Sequence, residues 1–520
     1  GAKLLNTDGT LQEAGGAILS NGWGQPYGAG DDPALPQYNH AREVDVVVGA
    51  CILVPRRAWD RVGGFDDRYA PAFYEEFDLA FALRDAGMRV LYQPASQVTH
   101  HGSNSYGAEA RNRQSLLNHA RFCAKWARLL PGQPAPGAAP FQQRERPPRS
   151  GTILVIDDRV PEWDRHAGGL TVSQYLRLLR ALGWRVAFLP AADAAPLQPY
   201  TAVLQQAGIE VLHAPETLEH WLAANGRFLD RVWTARPDVT GPVLDLIRRH
   251  TRAPVLYYTH DLHYLRERRR FELEGDPRVE QESRRLQRIE ERIFANVDEV
   301  MTPSTEEARI IAATVPAARV HTIPPYIVPP AALASAGPAF ADRDGVIFVG
   351  GFGHLPNVNA ALWLVDEIMP LVWRAVPEAR LLLVGSAPPM AVQALAGPQV
   401  EVTGFVPDIA PLFNRARVSV SPLRYGAGVK GKIVASLQAG VPVVTTTVGN
   451  EGLDLVDSQD AMIADTATAL ADAVIALWRN PERCAALAAA GQAVLRDRYS
   501  EDAARRALQA VLTAPMDSKA

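Results

Sequence analysis

Residues 417–453, RVSVSPLRYGAGVKGKIVASLQAGVPVVTTTVGNEGL, carry the densest chemistry of this chain. They read as a strand, a glycine-rich loop, a helix, a glycine stop and a second strand. Lys430 and Lys432 sit where the loop passes into the helix. A loop without bulky side chains lets backbone N–H groups approach a phosphate, and the helix start adds partial positive charge. Lysines beside it add full charges. That combination suits the diphosphate of an activated donor, held by Gly428, Lys430 and Lys432. Plain strand–helix packing also uses glycine-rich turns, and Lys432 also suits a solvent-facing helix position. The lysines and the following Gly449-Asn450-Glu451-Gly452-Leu453 favour the phosphate reading.

The elements that must position these residues form a repeating α/β pattern. From residue 151 onward, apolar runs alternate with helical segments: GTILVIDD, then a helix near 170–182, then WRVAFLP. The alternation continues through VLYYTHD, DEVMTPS and VHTIPP. A second series runs GVIFVGG, ARLLLVG, QVEVTGF, VSVSP and VPVVTTT. Such βαβ alternation implies parallel sheets covered by helices. With a break near 327–345, two tandem doubly wound, Rossmann-like domains are expected, at 151–330 and 331–520. Ligands in such sheets bind at the carboxyl ends of strands. That singles out Gly350, Gly351 and Asn357 after the first strand of the second series, and Gly385 after its second strand. Glu451 follows a later strand and is placed to reach donor hydroxyls. In the first series, Gly168 and Gly169 are placed to approach an acceptor, although a plain turn reads the same. His260 ends VLYYTHD, positioned for a bound donor or a developing charge, or else as a buried, satisfied histidine. Asp261, His263 and Arg266 suit stabilisation of the next helix.

Composition narrows the class. The 520 residues allow three or four domains and a large core, at 47% hydrophobic residues. A net charge of −4 with no basic tail argues against nucleic acid. Cys51, Cys123 and Cys484 are widely separated, which points to a reducing, cytoplasmic setting without a disulfide scaffold or zinc site. No apolar run is long enough to span a membrane, since a spanning helix needs about 20 residues. The chain opens at Gly1 on AKLLNTDGTLQEAGG, with neither a methionine nor a signal peptide, which reads as a cut within a domain, a processed start being the alternative.

Residues 1–130 form a separate region. Residues 44–55 suit a buried strand, 77–86 a helix stopped by Gly87, and 88–94 another strand. Helical spacing over 108–130 places Leu116, Leu117, Ala120, Phe122 and Trp126 together. The proline-rich, charged segment 131–150 reads as a semi-extended linker. The run 266–293 has helical spacing and many charges. It reads as a solvated helix face, or as a contact for an anionic membrane surface or partner, since basic residues lead it.

Two family resemblances attach to these motifs. GVIFVGGFGHLPNVNAALWLVDEIMP, ARLLLVGSAPP, VEVTGFVPDIAPLFNRARVSVSPLRYGAGVKGKI and GVPVVTTTVGNEGL together resemble the C-terminal domain of GT-B glycosyltransferases of family 4. ILVIDDRVPEWDRHAGGL, YYTHDLHYLRE and DEVMTPSTEEA are similar to the N-terminal domain of the same group, so the resemblance covers about 151–515. It implies an N-terminal acceptor domain and a C-terminal donor domain. It also implies metal-free sugar transfer from a nucleotide-sugar donor, with retention of configuration. The family usually carries two glutamates spaced eight apart around the glycine loop, where this chain has Ala427 and Ala435. Its usual Arg/Lys pair after the first strand is replaced by Gly351–His354.

The first 107 residues resemble the acceptor-side half of a GT-A glycosyltransferase of family 2, on VDVVVGACILVPRRAWDRVGGFDDRYAPAFYEEFDLAFALRDAGMRVLYQPASQVTHHGSNS. By position in that family, Glu76 would be the base that deprotonates the acceptor, flanked by Glu75 and Asp78. A helix start stabilises a carboxylate there, and ordinary helix capping is the alternative. His100 would be the ligand for a metal or diphosphate, or an exposed histidine. A divalent metal, Mg or Mn, is implied only for an intact GT-A module. The nucleotide-binding half with its Asp-x-Asp is expected upstream of residue 1, so this GT-A part is expected not to transfer sugar in the present chain.

The combined expectation is a glycosyltransferase acting on a glycan or lipid-linked acceptor in bacterial surface polysaccharide assembly, peripheral to the inner face of the cell membrane. A non-catalytic nucleotide-sugar-binding scaffold is the alternative, favoured by the missing glutamates. A GT-B enzyme of other chemistry, such as a sugar-phosphate epimerase, is a third.

Overall fold

The computed structural model describes residues 1–101, 108–165, 167–214, 216–333 and 337–513. Residues 102–105 of the family 2 resemblance and His166 of the family 4 resemblance lie outside them. The chain is α/β and carries two Rossmann-like domains, preceded by a mixed-sheet region. It divides into two compact units: residues 1–162, 175–232 and 245–253, and residues 163–174, 233–244 and 254–520.

The first unit opens with a four-stranded sheet in the order Leu11–Glu13, Ala2–Leu5, Leu91–Thr99, Arg42–Glu43. The two central strands are parallel and the outer ones antiparallel to them. Helices Glu75–Asp85 and Ala108–Lys125 are joined by rings: Phe122 meets Tyr74 and Phe81, and Trp126 meets Phe81. Residues 44–55 do not form the expected strand. Val46 exchanges hydrogen bonds with Gly16, but beyond it the Val48 N–H turns to the Glu13 carboxylate, and Leu53 is 93% exposed. The expected strand at 88–94 begins later, at Leu91, and runs to Thr99. The helix expected over 108–130 ends at Lys125, and its Leu116 and Leu117 are exposed, not packed.

The segment 131–150 is not an extended linker. It contains a helical turn, Pro140–Gln143, and buries Phe141, Arg144 and Glu145. Phe141 stacks on Phe228 and meets Trp221 edge-on. Arg144 donates to Glu210 at 2.7 Å, Arg185 pairs with Glu145 at 2.7 Å, and Arg42 donates to the Arg144 carbonyl at 2.9 Å. Burial opposes the Glu145 charge, yet Arg185 and Arg144 outweigh it and hold the carboxyl at about 2. Charge pairing therefore buries a segment whose polar composition favours solvent. The strands Gly151–Asp157, Trp184–Pro190 and Ile209–Val211 of the same unit pair in parallel.

In the second unit, Val255–Tyr258, Glu299–Thr302 and Val320–Thr322 pair in parallel. The six-stranded sheet that follows runs in the order Val400–Gly404, Arg380–Val384, Gly345–Val349, Ala416–Ser421, Val443–Thr445, Met462–Ile463. All its pairs are parallel. Along Gly345–Val349, Val346 and Phe348 enter one core and Ile347 the other. Both faces are covered, which is why the strand reads as a continuous apolar run. The strand order reverses between Gly345–Val349 and Ala416–Ser421, the switch point where such sheets bind ligands. The run 266–293 is two helices, His263–Glu274 and Pro277–Asn296, separated by Gly275 at φ +70° with Asp276 capping the second. Val279, Leu286, Ile293 and Phe294 bury one stripe of the second helix.

Candidate functional site

The switch point gathers the glycine loop and both lysines. The strand Ala416–Ser421 leads into Gly426 at φ +149° and Gly428 at φ +68°, and the helix Gly431–Gln438 starts after Lys430. Gly428 is required by space as well as by conformation. A Cβ there would lie 2.9 Å from the Asp261 Cβ and 3.0 Å from the His260 carbonyl oxygen. A strand-end loop of the first series and the glycine loop of the second are thus in direct backbone contact, within one unit.

Lys430 is buried, its side chain 7% exposed, and its ammonium donates to the Gly428 carbonyl and stands 3.8 Å from Glu451 Oε2. Burial lowers its pKa, with Glu451 and Glu307 opposing that shift. Lys432 is not a solvent-facing residue. Its ammonium reaches Asn357 Oδ1 and lies 5.4 Å from the centre of the Phe348 ring. Burial, then the neighbouring Lys430 charge, bring its pKa down to about 7. Asn357 in turn donates to the Gly351 carbonyl at 2.7 Å. The helix lysine is therefore tied to the end of the first strand, Gly345–Val349.

The other predicted positions fall around this centre with unequal roles. Gly350 and Gly385 pack against each other, because a Cβ on Gly385 would meet the Gly350 oxygen at 2.0 Å. That contact requires glycine at 385, whereas a Cβ on Gly350 would meet the Asn357 side chain at 2.9 Å. Gly168 and Gly169 lie in the first turn of helix Ala167–Ala181. A Cβ on Gly168 would lie 3.2 Å from the Arg236 guanidinium and 3.7 Å from the His260 ring. Arg236 and His260 each follow a strand and each adopt positive φ, 63° and 57°. Strained backbone of this kind persists where the surroundings fix it, and often at functional sites. His260 also packs edge-on to Tyr258. Asp261 is engaged by Arg266 at 2.5 Å and His263 at 3.0 Å, as expected of a helix-stabilising group.

Glu451 is held by a fork of two hydrogen bonds from Arg269, at 2.6 and 2.7 Å. Arg269 also donates to the Gly426 carbonyl at 2.6 Å. Glu307 is fully buried and accepts from the N–H groups of Leu262 and Gly428 and from the Thr302 hydroxyl. Burial raises its pKa to about 7. His354 stands just before the helix Leu355–Trp363 without a side-chain capping bond, and burial followed by the Arg266 and Lys432 charges lowers its pKa to about 4. It is neutral at pH 7. Sequence reading missed Arg236, Arg269 and Glu307. Arg269 lay inside a run dominated by charge, and Glu307 reads locally as the acid of a Ser304-Thr305-Glu306-Glu307 helix cap.

Glu76 and His100 belong to the first unit. Glu76 lies in the first turn of helix Glu75–Asp85, and burial, then the Glu75 charge, raise its pKa to about 7. Its Oε2 is buried without a hydrogen-bond partner, as is that of Glu75. Asp78 is structural: it accepts from Trp126 at 2.8 Å and from Lys125 at 2.8 Å. His100 Nδ1 is 2.9 Å from Gln12 Oε1. Among the described residues no helix is long and apolar enough to cross a membrane.

Residues 343–480 match the family described as "Glycosyl transferases group 1". The N-acetylglucosaminyl-diphospho-decaprenol L-rhamnosyltransferase of Mycobacterium tuberculosis is 41% identical over 68 residues, 13% of this chain and 22% of that protein. The O-antigen biosynthesis protein RfbC of Myxococcus xanthus is 30% identical over 115 residues, 21% of this chain and 9% of that protein. The matched stretches thus span less than a quarter of these curated relatives. Sucrose-phosphate synthase from Thermosynechococcus elongatus superposes with a TM-score of 0.55 at 19% identity, over 69% of this chain and 98% of that one. Anabaena HepE, solved with UDP and glucose, superposes with a TM-score of 0.52 at 15% identity, over 70% of this chain and 100% of that one. The chain therefore has the GT-B fold, and its residues 343–480 match the glycosyl transferases group 1 family.

Proposed function

We propose that this chain transfers a sugar from a nucleotide-sugar donor to a glycan or lipid-linked acceptor. The observation that carries the reading is the burial of Lys430 beside the glycine loop at the sheet's switch point, in a group 1 domain. Lys430, Lys432 and the first turn of Gly431–Gln438 stabilise the diphosphate as it leaves. Asn357 orients Lys432. The acceptor hydroxyl attacks the anomeric carbon, the bond from that carbon to the phosphate oxygen breaks, and the hydroxyl proton passes to the departing phosphate. This front-face route retains configuration and needs no metal. Glu451, once released from Arg269, takes donor hydroxyls. His260 faces the sugar, and Gly168 and Gly169 leave room for the acceptor.

The acceptor domain is assigned to 151–330 and the donor domain to 331–520. In the region 1–130, the near-neutral pKa of Glu76 suits a general base of family 2 type. Surface polysaccharide assembly is supported by the O-antigen relative. The pathway also implies a peripheral position at the inner membrane face.

The test is incubation with a panel of nucleotide sugars and lipid-linked acceptors, followed by product analysis. A new glycosidic linkage with the donor's anomeric configuration supports the reading, and an altered but untransferred sugar points to epimerase chemistry. A non-catalytic scaffold is favoured by Ala427 and Ala435 where glutamates are usual, and by the engagement of Glu451 with Arg269. Binding of donors without any turnover would select it.

A further inference from the structure

The donor site already contains an anion. Glu451 Oε2 lies 2.6 Å from one guanidinium nitrogen of Arg269 and 3.8 Å from the Lys430 ammonium, so two cations converge on one oxygen. The second Glu451 oxygen takes the other Arg269 nitrogen at 2.7 Å. All three side chains are largely buried, at 23%, 9% and 7% exposed for Arg269, Glu451 and Lys430. The same guanidinium donates to the Gly426 carbonyl at 2.6 Å, which fixes it against the glycine loop. A planar guanidinium fork fits phosphate as well as it fits carboxylate.

We propose that Arg269 is a ligand of the donor's diphosphate, acting with Lys430, and that Glu451 holds the place of a phosphate oxygen until the donor arrives. The inference rests on the donor-site reading of Lys430. A charge argument supports it independently. The end of the first strand supplies no cation, since Gly351–His354 contains only a histidine that is neutral at pH 7. Burial works against the Arg269 charge, but its bonds to Glu451 and the Glu451 field keep it protonated. When the diphosphate enters, it replaces the carboxylate between the two cations, and Glu451 is released toward the donor hydroxyls.

The test is calorimetric titration of the full chain with UDP, GDP, ADP and dTDP, and with the matching nucleosides. For whichever diphosphate the wild type binds, Arg269→Gln is expected to weaken affinity about tenfold, with nucleoside affinity unchanged and partial recovery in Arg269→Lys. Glu451→Gln, probed with inorganic pyrophosphate, is expected to tighten binding severalfold because the competing charge is gone. Diphosphate affinity in Arg269→Gln within about twofold of wild type overturns the proposal, as does weaker pyrophosphate binding in Glu451→Gln. If Arg269→Gln does not fold, Arg269→Lys and Glu451→Gln decide. A wild type that binds none of the diphosphates overturns both this inference and the donor-site reading, whereas a binding wild type with an indifferent Arg269→Gln overturns the inference alone.

Discussion

The Gly428 N–H donates to Glu307 Oε1 at 2.8 Å, joining residues 121 positions apart. The same carboxylate oxygen accepts the Leu262 N–H at 3.1 Å. One buried side chain thus positions both the glycine loop and the loop after Val255–Tyr258. It fixes the loop geometry on which the proposed diphosphate site depends.

Replacing Gly428 tests that geometry. Gly428→Ala must adopt φ +68° and place its Cβ 2.9 Å from the Asp261 Cβ. Left-handed strain and the forced separation of the two loops together cost about 1–3 kcal/mol. The variant is expected to melt several degrees lower and to bind nucleoside diphosphate at least about tenfold more weakly. An alanine variant with wild-type melting temperature and affinity would show that the two loops are not held together.

Lys432 gives a pH dependence. Its pKa is lowered to about 7, so its charge is present below that value and lost as pH rises through it. A nucleotide sugar has no phosphate group titrating near neutrality, so the change in affinity reports the protein. Affinity is expected to fall from about pH 6 to about pH 8.5, with net proton uptake on binding near the upper value. Titrations in buffers of different ionisation enthalpy measure the uptake. Lys432→Met should bind more weakly and lose that uptake, and an unchanged uptake would remove Lys432 from the site.

The ion network of the first unit predicts a stability effect. Arg144 is 3% exposed and serves Glu210, while its carbonyl takes Arg42. Arg144→Met leaves Glu210 buried with a charge that has lost its partner. A loss of about 3–5 kcal/mol is expected by denaturant titration. A loss below about 1 kcal/mol would mean that the segment 131–150 is only loosely docked.

Much of the fold was legible because the four central strands of the six-stranded sheet are buried on both faces. Val346, Ile347 and Phe348 enter two different cores, so periodicity reduces to an apolar run between helices and cannot be mistaken. Lys430 was legible because its neighbours in sequence, the glycines and the helix start, are also its neighbours in space. Arg269 was not. Local polarity marks it as a solvated helix residue, and its partner Glu451 is 182 positions away. Glu307 satisfied a local helix-cap reading, which concealed its distant partner. The segment 131–150 misled because proline and charge signal solvent, while Arg144 and Glu145 are buried through pairing with Glu210 and Arg185.

The most direct measurement is release of nucleoside diphosphate from a panel of nucleotide sugars, with the wild type beside Lys430→Ala. Wild-type turnover of at least one donor is expected, and a fall of about a hundredfold or more in kcat/KM for Lys430→Ala, carried mainly by kcat. Equal turnover by both proteins, or donor binding without turnover by the wild type, would contradict a leaving group stabilised at Lys430.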